Sequence, residues 1–171
     1  MGVTTDLDKA RLNVKTTWLM NIETLTKENP NFQLIIDVLS FLDPTGIPSL
    51  ILDPKIPGLP EEMTALLKDG HIIHKLTKYS LFSRDPLDKK LLTVHRMVQD
   101  VIKDAVQKDK TRLKQTLQNA EQMLEFLSNL GEKEGRISNR NNDHFGKELE
   151  TLSEKKILDE QYLTDLIARR K

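Results

Sequence analysis

The segment from Phe32 to Leu42 is apolar on almost every side: Phe32, Leu34, Ile35, Ile36, Val38, Leu39, Phe41 and Leu42 leave only a narrow polar strip. A helix of that kind cannot face water, so it must be enclosed by other elements. The rest of the chain is therefore expected to wrap around it. Asn29-Pro30 separates it from a first helix, expected over Lys9 to Glu28, because the residue before proline is pushed out of the helical region. Trp18, Leu19, Ile22 and Leu25 are expected to share that helix's inward face. Asn31 is placed to cap the enclosed helix.

After the turn Asp43-Pro44-Thr45-Gly46, the prolines Pro48, Pro54 and Pro57 point to loop with at most one helical turn. Pro60, Glu61 and Glu62 suit a helix start, and Asp69-Gly70 suits its end. Another short helix is expected from His71 to Tyr79, carrying Ile72, Ile73 and Leu76. Leu81-Arg84 and Leu91-Val94 then flank the polar turn Asp85-Lys90, which reads as a β-hairpin. Helix resumes over His95 to Gln107, with Val98, Val101, Ile102 and Ala105 inward. Leu113, Leu117, Ala120, Leu124 and Leu127 form a four-three seam on a long amphipathic helix from Lys110 to Leu130. Glu132 to Asn142 is polar and reads as a loop, and Gly146 to Arg170 as a solvated helix.

The expected fold is mainly α: a winged-helix-like domain with a small β-hairpin, then a packing helix and a polar helical tail. The boundaries expected are 1–14 as the remnant of a preceding segment, 15–108, 109–130 and 131–171.

Several chemistries have no footing in the residues. Cysteine is absent, which removes disulfides, thiolate metal ligands and a cysteine nucleophile. His71 and His74 are three apart but have no third ligand at metal spacing, so no metal site is expected. Glu61-Glu62 and Asp159-Glu160 are adjacent pairs that diverge on a helix and read as helix-end charge. Ser80 and Ser83 sit in no nucleophile motif. No phosphate-binding Gly-x-x-x-x-Gly-Lys-Ser/Thr loop occurs, so the chain is not expected to hydrolyse nucleotide or to be an enzyme. Gly2 could invite lipidation, but Asp6 stands where the motif takes Ser or Thr. No apolar run spans a membrane, and no repeat period of about 34 residues appears after Gly131.

Lys+Arg and Asp+Glu are both 26, so a general affinity for nucleic acid is not expected. A DNA-binding winged helix is the alternative reading. It would use Lys75 and Lys78 before the hairpin and Arg84, Lys89 and Lys90 on it. A helical scaffold that binds a partner helix through the Lys110–Leu130 seam, as a coiled coil, is a further alternative. The basic tip Arg169-Arg170-Lys171 reads as a solvated terminus.

Three stretches carry a family resemblance. They are Thr16-Thr17-Trp18 through Glu28-Asn29-Pro30, Leu39 to Pro44 with Ile47-Pro48, and Leu76-Thr77-Lys78-Tyr79-Ser80-Leu81. With Leu92-Thr93-Val94-His95-Arg96-Met97-Val98-Gln99, they resemble the winged-helix region that follows the NB-ARC domain of signal-transducing ATPases. The likeness covers about residues 15–106 and is nearest to members with tetratricopeptide repeats. It implies a cytoplasmic regulatory module, a fragment of a larger signalling protein, that packs on a nucleotide-binding domain and holds it closed around ADP until ATP replaces it. It implies that His95 is the residue that reaches the ADP phosphate. Plant members commonly have an acidic residue after that histidine; here it is Arg96. Neither ADP nor ATP is expected to bind this chain without the nucleotide-binding domain.

Overall fold

The computed structural model describes residues 6–130 and 135–169. Gly2, Gly131 to Glu134 of the polar stretch, and Arg170-Lys171 of the basic tip lie outside them. Among the described residues are eight α-helices and three short strands: α1 (Asp6–Glu28), α2 (Phe32–Leu39), β1 (Ile47–Pro48), α3 (Glu61–Lys68), α4 (Ile72–Lys78), β2 (Phe82–Arg84), β3 (Leu91–Val94), α5 (Arg96–Gln107), α6 (Lys110–Ser128), α7 (Gly135–Glu154) and α8 (Glu160–Ala168). The fold is mainly α with one small antiparallel sheet, in the order β1-β3-β2.

The enclosed helix is where its composition put it. Phe32, Ile35, Ile36, Val38 and Leu39 of α2 are buried, as are Phe41 and Leu42 beyond it. The helix is shorter than its apolar run. After Leu39 the chain tightens: the Phe41 N–H donates to Val38 O and the Leu42 N–H to Leu39 O, three residues back. Gln99 of α5 completes this end, because its side-chain amide donates to Leu39 O (3.2 Å) and Leu42 O (2.8 Å). Both carbonyls lie past the regular helical ladder, and Leu39 O also accepts the Leu42 N–H. At the other end Asn31 makes no side-chain cap. Asn29 takes over, its Oδ1 accepting from the Asn31 N–H at 3.0 Å.

Four expectations about faces and loops are corrected. Leu19 is 45% exposed. It lies about 100° round the helix from Trp18, off the stripe formed by Trp18, Ile22 and Leu25. On α5 the buried stripe is Val98, Gln99, Ile102 and Val106, turned toward Gln99, so Ala105 is exposed and Val101 half-buried. Ile47-Pro48 is an edge strand, not loop, paired with Leu92 and Leu91. Proline is tolerated there because an edge strand can lack an N–H on its open side. A 3-10 turn over Ser49–Leu52 follows directly. Finally, the polar stretch is helical from Gly135 onward.

That last difference matters most for the architecture. Asn141, Phe145, Leu149 and Leu152 of α7 are fully buried, spaced four, four and three residues apart. Leu163 and Leu166 of α8 join them, and one core cluster runs from Ile22 to Leu166. The α6 seam of Leu113, Leu117, Ala120, Leu124 and Leu127 is wholly buried inside the chain. Its helix packs on α2, α5 and α7. No helix among the described residues is long and apolar enough to cross a membrane.

The hairpin tip and the short helices close as their residues suggest. Gly70 ends α3 with φ 78°, a left-handed conformation that costs glycine little. Ser80 takes the same role after α4 at φ 58°. The Leu81 N–H donates back to Leu76 O at 3.2 Å, the wide bond that ends many helices.

Candidate functional site

His95 joins the sheet to α5. Val94 ends β3 and donates its N–H to Pro44 O at 2.9 Å. The next residue is extended and caps the helix, with His95 Nδ1 accepting from the Met97 N–H at 3.2 Å. An imidazole nitrogen that accepts carries no proton, so in the neutral ring the proton sits on Nε2. The capping bond thereby fixes both the ring and its tautomer. His95 is exposed, so the junction offers an N–H donor at the positive end of a helix. Trp18 of α1 lies beside it, with ring centroids 5.0 Å apart and planes tilted by 40°. Trp18 is half-buried and packs on the core.

The turn that receives Val94 is held from the other side by α7. Asn141 accepts the Asp43 N–H at 3.1 Å and donates to Gly46 O at 2.8 Å. Arg140 pairs with Asp43 Oδ2 at 3.0 Å and donates to Thr45 Oγ1 at 3.0 Å. Asp43 Oδ1 in turn accepts from the Thr45 N–H and hydroxyl. Burial alone would raise the Asp43 pKa; the Thr45 hydrogen bonds and the Arg140 charge outweigh it and hold the carboxyl below its ordinary value. Further along α7, Glu148 meets Lys103 of α5 at 2.8 Å and stands 3.3 Å from His144 Nε2. Its burial too is outweighed, by His144 and Lys103, and its pKa is lowered.

Both carboxyls have folded values below their unfolded ones, near 3.8 and 4.5. Their contribution to stability is present above the unfolded values and disappears as pH falls through the lowered folded ones. Urea denaturation at a series of pH values is expected to show stability dropping below about pH 4. Asp43→Asn with Glu148→Gln is expected to flatten that drop; an unchanged acid limb would remove these two groups as its source.

Other residues singled out in the sequence are dispersed. His71 precedes α4 and His74 is exposed on it. Among the described residues no group of three His, Asp or Glu side chains is placed to hold a metal ion. Glu61 and Glu62 occupy the first turn of α3. Asp159 caps α8, accepting from the Gln161 and Tyr162 N–H groups. Ser83 bonds across the hairpin to Thr93, hydroxyl to hydroxyl, at 2.7 Å.

Of the two lysines before the hairpin, Lys75 is engaged by α1, and Lys78 lies over the Tyr79 ring, 5.6 Å from its centroid. Lys75 Nζ reaches Glu28 Oε2 at 3.3 Å, and the Tyr79 hydroxyl donates to Glu28 Oε1 at 2.7 Å. The Tyr79 bond, then the one from Lys75, lowers the Glu28 pKa. Asn21 adds a bond from its side-chain amide to Tyr79 O at 2.9 Å.

Arg140 and Asn141 were not visible as site residues in the sequence. They sit in a polar run where every neighbour could equally be solvated. Gln99 was visible only as the end of the Val-His-Arg-Met-Val-Gln string.

Residues 21–111 match the family described as Domain of unknown function (DUF7779), which takes in the end of α1, all of α2 to α5, the sheet and His95. Comparison with curated proteins and with solved structures gives no significant match.

Proposed function

The chain belongs to the DUF7779 family, and we propose that it is the regulatory winged-helix module of an NB-ARC-type nucleotide switch. In this reading it docks on a nucleotide-binding domain, helps hold the ADP-bound closed state, and acts in the cytoplasm. The observation that carries the reading is the geometry of His95: an exposed ring whose Nδ1 is occupied by the Met97 N–H, leaving Nε2–H for an outside anion. The strand order supports it. A helix, a strand, two short helices and a hairpin, with the first strand beside the last, is the winged-helix order.

The chain's own part is binding and positioning. Cradling of the nucleotide and its hydrolysis belong to the docked domain, because this sequence has no nucleotide-binding Gly-x-x-x-x-Gly-Lys-Ser/Thr loop. His95 would donate one hydrogen bond to a phosphate oxygen, backed by the positive end of α5.

A DNA-binding role fits less well. Its recognition helix would be α4, where Lys75 is paired with Glu28 and Tyr79 is tied to α1. A carboxylate beside the groove-facing lysine opposes phosphate contact.

The test is ADP release from a purified NB-ARC nucleotide-binding domain, with and without this chain. The wild-type chain is expected to slow release. His95→Ala should lose about tenfold of that effect, the worth of one hydrogen bond to a charged group. Equal slowing by the wild-type chain and His95→Ala would defeat the role given to His95, and no slowing by either would defeat the switch reading.

A further inference from the structure

Beside the His95 junction lies an open cleft of about 270 Å³, bounded by the Asp43–Gly46 turn, the start of α5 and the outer side of α7. We propose that this cleft is an anion site that binds a short phosphate chain, using Arg96, Arg140 and Lys147. The proposal goes beyond the switch reading, because it needs no nucleotide-binding domain.

The three cations come from two elements that the core holds in fixed relation. Arg96 opens α5 and Lys147 lies on α7; both are exposed. Neither forms an ion pair among the described residues, whereas Lys103, Lys75 and Arg112 each do. Arg140 is already tied to Asp43 and Thr45, but both bonds use Nη2. Nη1 and Nε make no hydrogen bond among the described residues, and the tie restrains a side chain that is otherwise 60% exposed. A pre-positioned arginine suits phosphate oxygens better than a mobile lysine does.

The charge balance selects the ligand. Asp43 is matched by Arg140, and Asp143 is the carboxylate on the rim without an ion pair among the described residues. Arg96 and Lys147 exceed it by one, and the positive end of α5 adds to that excess. A monoanion gains little from so small a surplus in water. A pyrophosphate group can engage Arg96, Arg140 and Lys147 together, and the cleft is large enough for it. An extended nucleic acid would need a longer basic stripe than three residues on a chain of zero net charge.

The test is a titration of the full chain followed by amide NMR, with inorganic pyrophosphate and adenosine as separate ligands. Saturable shifts are expected at residues 45–46, 96–98 and 140–147 with pyrophosphate, and none with adenosine. Arg96→Glu with Lys147→Glu should weaken pyrophosphate binding by about tenfold or more. Both side chains are exposed, so the unperturbed spectrum certifies the fold. Binding of pyrophosphate by the chain alone, with no nucleotide-binding domain present, separates this site from the switch reading. Shifts spread over surface lysines without saturation, no response to the double charge reversal, or equal shifts with adenosine would each overturn the assignment.

Discussion

Arg112→Met is expected to destabilise the protein by about 3–5 kcal/mol, the cost of leaving a charge uncompensated in an interior. Asp37 is 2% exposed, in the middle of the enclosed helix α2. Arg112 reaches it from the first turn of α6 through two parallel bonds, Nε to Oδ2 at 2.7 Å and Nη2 to Oδ1 at 2.8 Å. Gln33 adds a third at 2.7 Å. The arginine itself is partly exposed, so its own desolvation is modest; the carboxylate is the group that cannot stand alone. Domains of ordinary stability have about 5–15 kcal/mol in total, so the variant should sit near the unfolding threshold. The double variant Asp37→Leu with Arg112→Met should recover most of the loss, because an apolar pair needs no partner there. Urea denaturation of the wild type, both single variants and the double measures the coupling directly. A loss below about 1 kcal/mol for Arg112→Met would place the pair among ordinary surface bridges.

Phe145→Ala should cost a similar amount, about 3–5 kcal/mol, as a fully buried aromatic side chain is deleted. Phe145 is on α7, beyond the segment that matches the family, and has no exposed surface. If α7 and α8 complete the core, far-ultraviolet circular dichroism and tryptophan fluorescence should still report one coincident transition at lower denaturant. Early loss of helix with an unmoved tryptophan transition would mean instead that α7 and α8 fold as a separate unit.

How far the fold was legible in the sequence follows from where burial coincides with apolar residues. The presence and start of the enclosed helix, the hairpin, the α6 seam and the break at Asn29-Pro30 were all written in apolar periodicity or proline. Two of the failures share a cause. The buried stripe described on α7 includes Asn141, whose burial is made tolerable by hydrogen bonds to Asp43 and Gly46 nearly a hundred residues away in sequence. Local pattern cannot reveal such a partner. Gln99 displaced Ala105 from the inward stripe of α5 for the same reason, since its worth lies in the carbonyls of Leu39 and Leu42. β1 was hidden because two residues, one of them proline, carry no alternation to read. Of the candidate site, His95 was singled out only through family resemblance. Its tautomer-fixing bond to the Met97 N–H and the α7 clamp on the neighbouring turn emerged only from the three-dimensional arrangement.

Trp18 is the sole tryptophan of the chain, and its ring lies against that of His95. The indole is therefore a native optical sensor placed on the junction itself. Charging the imidazole, binding an anion at its Nε2, or lifting α1 away would each alter the electric field or the packing around one chromophore. Emission from the unlabelled chain, excited at the red edge where its two tyrosines do not absorb, can follow events at His95.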